Sequence, residues 1–147
     1  QQFTLFGTCQ FMFKSNRTIE DRKKAVMRFW NAVDRTIYTA KEIATEGKRV
    51  ERIVYLEQGR SRDYVHFHFF CKANNPTQLK TLINTTQHFW NNKVEDTQTL
   101  DIKLNQNSDY RDGYGIKEYE AICFDDNRNF KTEILNEQIF VECCHLT

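Results

Sequence analysis

The chain has 147 residues, of which 39% are hydrophobic, 28% charged and 14% aromatic. That is enough apolar material for one folded core, and too little length for two ordinary domains. Twenty-one Lys and Arg against twenty Asp and Glu leave a net charge of +1, so no overall basicity announces a polyanionic partner, although such a sum is compatible with a locally basic face. No run approaches 18 uncharged apolar residues, which excludes a membrane-spanning helix. Gln1 with no apolar signal segment after it leads us to expect an excised fragment of a longer protein.

The first expected element is a strand over Phe3–Phe13, aromatic and β-prone. Thr18, with Asp21 three residues later, reads as a capping-box variant. It opens an expected helix from about Ile19 to Glu46, with an apolar stripe of Val26, Phe29, Trp30, Val33, Ile37, Ala40 and Ala44. Gly47 suits its end. Two strands follow, Arg49–Gln58 and Asp63–Lys72, joined as a hairpin through Gly59-Arg60-Ser61-Arg62. Asn74-Asn75-Pro76 stops the second strand. Thr77 opens a helix carrying Leu79, Leu82, Ile83, Phe89 and Trp90. Val94–Leu104 reads as a further strand, and Asn105–Gly113 as a loop. Tyr114–Phe124 begins as a short helix and is open to ending as a strand, and Phe130–Cys143 is open between helix and strand. The order predicts an α+β domain spanning 1–147: a central antiparallel sheet of about five strands, RRM- or palm-like, flanked by helices.

The five cysteines are Cys9, Cys71, Cys123, Cys143 and Cys144. Their odd number and the lack of CxxC spacing argue against a disulfide framework and favour a reducing, intracellular compartment. Cys143-Cys144-His145 lacks the usual zinc-ligand spacing.

Chemistry concentrates in Tyr64-Val65-His66-Phe67-His68-Phe69-Phe70. Strand residues alternate faces, so His66 and His68 share one face, while Val65, Phe67 and Phe69 point to the other, where a helix can bury them. With the hairpin turn centred between Arg60 and Ser61, Glu57 faces Tyr64 and lies diagonal to His66 on the histidine face. Two imidazoles and a carboxylate leave coordination positions open, which suits Mg²⁺ or Mn²⁺ and also zinc. The bland reading, surface histidines alternating with core aromatics, stands beside it. Register parity decides between them, because one uncompensated residue in the turn would move Glu57 to the wrong face. Further on, Tyr114 and Lys117 share a helix face at i, i+3. A tyrosine hydroxyl with a pKa near ~10 needs help to act as a nucleophile, and a nearby cation and a metal-polarised phosphate can supply it. A half-buried Tyr beside a solvated Lys is the plain alternative.

Taken as a set, Phe3-Thr4-Leu5-Phe6, Glu57, His66-Phe67-His68 and Tyr114…Lys117 resemble the HUH endonucleases, most closely the rolling-circle replication initiators (Rep proteins) of small circular single-stranded DNA viruses and related plasmids. Glu57 stands nine residues before His66, as that viral group's acidic ligand would. The resemblance covers about residues 3 to 120. It implies metal-dependent, sequence-specific nicking and joining of single-stranded DNA at an origin stem-loop. Glu57, His66 and His68 would hold one Mn²⁺ or Mg²⁺, Tyr114 would attack the scissile phosphate to leave a 5′-phosphotyrosine, and Lys117 would position the ion or stabilise phosphoryl charge. It further implies host replication machinery as a partner, a helicase domain in the full-length protein, no membrane, and a location in a host nucleus or a bacterial cytoplasm. Tyr110 sits one helical turn before Tyr114 and would permit a two-tyrosine variant, although Arg111-Asp112-Gly113 interrupts a helix there, so Tyr114 alone is preferred. No GxxxxGK[ST] loop occurs in the chain.

Single-stranded DNA is held by backbone charge and base stacking. Lys14, Arg17, Arg60, Arg62, Lys72 and Arg111 are the candidate contacts, each with solvated surface charge as its bland alternative. Phe6, Phe11 and Phe13 are candidates for stacking or for the core. Other readings are a plasmid relaxase or HUH transposase, a non-catalytic nucleic-acid-binding module, and a structural metal-binding domain.

Overall fold

A computed structural model describes residues 3–12, 17–58, 65–105, 133–134 and 138–144. The described elements, in chain order, are β1 (Phe3–Gln10), α1 (Ile19–Ile37), α2 (Ala40–Glu46), β2 (Arg52–Gln58), β3 (Val65–Ala73), α3 (Pro76–Lys93), β4 (Asp101–Asn105), β5 (Glu133–Ile134) and β6 (Gln138–Cys144). The strands form one sheet in the order β4-β1-β3-β2-β6-β5, with every described pairing antiparallel. This is an α+β fold. Its six described strands exceed the expected five because the ambiguous C-terminal stretch pairs as β5 and β6 alongside β2.

Alternation along the strands builds the core. Leu5 and Cys9 of β1, Val54 and Leu56 of β2, and Phe67, Phe69 and Cys71 of β3 form a buried cluster with Val26, Phe29, Trp30 and Val33 of α1 and Leu82 and Trp90 of α3. Aromatic edges fill it: Trp30 meets Phe69 at 5.0 Å between centroids, and Phe11 meets Trp90 at 5.3 Å. Complete burial of a Phe side chain contributes about 1.5–3 kcal/mol, so Phe67 and Phe69 pin β3 with its helix-facing parity. Gly7 is opposite Phe69 in the ladder. A Cβ there would land on the Phe69 ring, so the missing side chain makes room for the aromatic.

The expected long helix is two. Tyr38 leaves helical geometry (φ −120°, ψ 151°), and Thr39 starts α2 with a complete capping box. Thr39 Oγ1 accepts from Glu42 N at 3.1 Å, and Thr39 N donates to Glu42 Oε1 at 3.0 Å. These bonds supply a local alternative to helix continuation. Ala40 and Ala44 consequently fall off the buried stripe and are exposed. Gly47 closes α2 with φ 63°. The third helix begins at Pro76, one residue earlier than expected, with Asn75 as its cap. The expected strand over Val94–Leu104 shrinks to β4 because its first half serves the end of α3: Trp90 Nε1 donates to Gln98 O at 3.0 Å, and Leu100 N donates to Asn91 Oδ1 at 2.8 Å.

A buried ion pair that the sequence pattern does not reveal joins α1 to β2. Arg52 Nη1 donates to Asp34 Oδ1 at 2.8 Å and to Val50 O at 3.0 Å. Asp34 Oδ1 also accepts from Val50 N at 2.9 Å, and the guanidinium lies 4.9 Å from the Trp30 ring centroid. Among the described residues no helix is long and apolar enough to cross a membrane.

Candidate metal site on the histidine face of the sheet

The face of β3 turned away from the core cluster carries His66, His68, Phe70 and Lys72, as period-two alternation requires. The two imidazole centroids are 5.7 Å apart and the rings are inclined by 71°. Both histidines are part-buried. Side chains of β1 meet them across the ladder, where Thr8 opposes His68 and Gln10 opposes His66. Thr8 Oγ1 lies 3.1 Å from His68 Nδ1, and Gln10 Nε2 lies 3.3 Å from His66 Nδ1. Phe6 stacks on the His68 ring at 5.4 Å and 17°, and Tyr55 of β2 meets the same ring at 5.4 Å. His68 is thereby held between two aromatic rings and a hydroxyl.

The hairpin register differs from the expected one in an instructive way. Gln58 pairs with Val65 and Glu57 with His66, a shift of two residues from the predicted pairing of Glu57 with Tyr64. A shift of two preserves the face, whereas a shift of one would invert it. Glu57 therefore keeps the histidine side, and it stands directly opposite His66 instead of diagonal to it. Directly opposed residues have Cβ atoms about 4.5–5.5 Å apart, closer than the diagonal placement. Two imidazoles and a glutamate position on one face of the sheet are a chemically suitable donor set for Mg²⁺, Mn²⁺ or Zn²⁺. Among the described side chains, which do not include that of Glu57, no three His, Cys, Asp or Glu form a ready cluster.

The remaining expected site residues divide. Tyr114 and Lys117 lie outside the described residues, as do Tyr110, Lys14, Arg60, Arg62, Arg111, Phe13 and His145. Lys72 is on the histidine face, and its Nζ is 3.3 Å from Glu51 Oε1. Arg17 sits instead beside the helices, 3.5 Å from Glu95 and 3.8 Å from Asp96, with its guanidinium 5.7 Å from the Phe11 ring. Lys72 thus shares the histidine face, four residues along β3 from His68, whereas Arg17 lies elsewhere. Phe11 is core, whereas Phe6 is at the site. Sequence reasoning missed Thr8, Gln10 and Tyr55. Period-two alternation puts Thr8 and Gln10 on one face of β1, but nothing local says that this face meets β3.

No family model and no curated protein matches the chain. Among solved structures, a de novo designed protein, Foldit4, is similar over 74% of this chain and 100% of its own, with 7% identity and a TM-score of 0.48.

Proposed function

We propose that this domain is a metal-dependent, single-stranded DNA nicking and joining enzyme of the HUH type, acting in the initiation of rolling-circle replication. The observation that carries the reading is the pair of part-buried imidazoles on β3, held through Nδ1 from one neighbouring strand and facing Glu57 in the other. His66, His68 and Glu57 would hold a divalent cation, which when bound supplies a Lewis acid for the scissile phosphate. Tyr114 is the nucleophile of the proposal. Its phenolic oxygen forms a bond to phosphorus, the bond from phosphorus to the 3′ oxygen breaks, and the phenol's proton passes to solvent or to the departing 3′ oxygen. The products are a 5′-phosphotyrosine and a 3′-hydroxyl able to prime a polymerase; attack by a 3′-hydroxyl reverses the step and joins the strand. Lys117, three residues after Tyr114 in the sequence, would offer a cation to the phosphoryl oxygens. Single-stranded DNA is the substrate of the proposal, and replication proteins of the host, which would extend the 3′-hydroxyl, are its partners.

The test incubates the protein with a randomised single-stranded DNA library and Mn²⁺. A protein–DNA adduct should survive on a denaturing gel, disappear with a chelator, and disappear in Tyr114→Phe. Adduct in Tyr114→Phe would move the nucleophile to another tyrosine such as Tyr110. DNA binding with no adduct in any chain would favour a non-catalytic single-stranded nucleic-acid-binding module, a reading to which the Phe6 ring beside His68 lends some support as a base-stacking surface.

A further inference from the structure

Two hydrogen bonds at the site share a feature that ordinary cross-strand pairing does not demand. Both run from β1 to β3, and both reach the same nitrogen, Nδ1, of their respective rings. In an imidazole, Nε2 lies across the ring from Nδ1. Holding both Nδ1 atoms on the β1 side leaves both Nε2 atoms on the side of β2, where Glu57 opposes His66 and Tyr55 opposes His68. We infer that Thr8 and Gln10 are positioning residues that orient both histidines to ligate a divalent cation through Nε2. The inference rests on the metal-site reading proposed above and extends it to residues that touch no metal.

The proton bookkeeping sets what each bond must be. A neutral imidazole that ligates through Nε2 carries its proton on Nδ1, and that N–H needs an acceptor. With His68 ligating through Nε2, the Thr8 hydroxyl oxygen, 3.1 Å from Nδ1, accepts from its N–H. As placed, Gln10 presents its amide nitrogen to His66 Nδ1, and a half rotation of the amide, whose two ends are nearly equal in shape, is required for its oxygen to accept from Nδ1–H. Phe6 and Tyr55 restrict the His68 ring further, so the hydroxyl acts on a ring with little freedom left. A merely structural cross-strand pair would leave the tautomer without consequence.

The experiment titrates Mn²⁺ alone into the 147-residue chain and reads free Mn²⁺ by electron paramagnetic resonance, with thermal melting followed in parallel. Thr8→Val and Gln10→Leu should each weaken Mn²⁺ binding about 10–100-fold, the usual effect of removing an outer partner of a ligating histidine. Thr8→Ser keeps the hydroxyl and should bind as the wild type does. In the Mg²⁺-loaded chain, imidazole ¹⁵N shifts should report the proton on Nδ1 of both rings. Wild-type affinity in folded Thr8→Val and Gln10→Leu would overturn the positioning role while leaving the metal site standing. Equal, negligible binding by the wild type, His66→Ala and His68→Ala would instead remove the metal site, and this inference with it. Should Thr8→Val fail to fold, Thr8→Ala compared with Thr8→Ser reads the same difference.

Discussion

Replacing Arg52 by Met tests the physics that joins the helix layer to the sheet beneath the candidate site. Arg52 is fully buried and Asp34 is 3% exposed. Arg52→Met deletes the cation and strands the Asp34 carboxylate among Trp30, Val33 and Val50, with the Val50 N–H still donating to it. Breaking one side of a buried pair costs about 3–5 kcal/mol, a large share of the roughly 5–15 kcal/mol that holds a typical domain folded. Adding Asp34→Asn removes the second charge and keeps an amide oxygen for Val50 N–H. The double variant should then recover to within about 1–2 kcal/mol of wild type, because neutralising both members of a buried pair avoids the desolvation cost of either. Urea unfolding followed by the fluorescence of buried Trp30 and Trp90, extrapolated linearly, measures both. A single variant costing under about 1 kcal/mol, or a double variant as unstable as the single one, would refute the claim that an uncompensated charge is the source of the loss.

Gly7→Ala should destabilise the domain by about 1–3 kcal/mol in the same assay, since its new methyl must displace the Phe69 ring opposite it. The capping box has a pH signature. The backbone hydrogen bond from Thr39, and then that from the Lys48 ammonium, hold the Glu42 carboxyl down at about 2. A depressed carboxylate stabilises the fold above its unfolded value near ~4.3, and that contribution is lost as pH falls through about 2. Carboxyl-detected NMR titration should place the Glu42 midpoint there, and Thr39→Ala should raise it toward the ordinary range; an unmoved midpoint would disprove the cap's role. Burial pushes the Cys71 thiol up to about 12, and burial followed by the neighbouring Cys71 pushes Cys9 well above its ordinary value. Iodoacetamide at mild alkaline pH, mapped by peptide mass spectrometry, should therefore spare Cys9 and Cys71 in the folded chain and label both in urea.

Much of the architecture was legible because it is local. Alternation along Tyr64–Phe70 put Phe67 and Phe69 in the core and both histidines on the opposite face. The stripe through Val26, Phe29, Trp30 and Val33 marked the buried side of α1, and Gly47 marked the end of α2. Failures occurred where side-chain hydrogen bonds compete with periodicity. Thr39 and Glu42 cut a continuous helical pattern in two, and Asn91 and Trp90 drew the residues before β4 into a cap.

For the site itself, the sequence settled which residues share a face, because a pleated backbone repeats every two residues wherever it runs. It did not settle what stands opposite. The pairing of Thr8 with His68 and of Gln10 with His66 joins residues 60 and 56 positions apart, and the two-residue displacement of Glu57 along β3 followed from the hairpin's pairing register. Register comes from packing one strand against another across the whole sheet, so only the folded chain could choose which nitrogen of each histidine is held and which strand it turns toward.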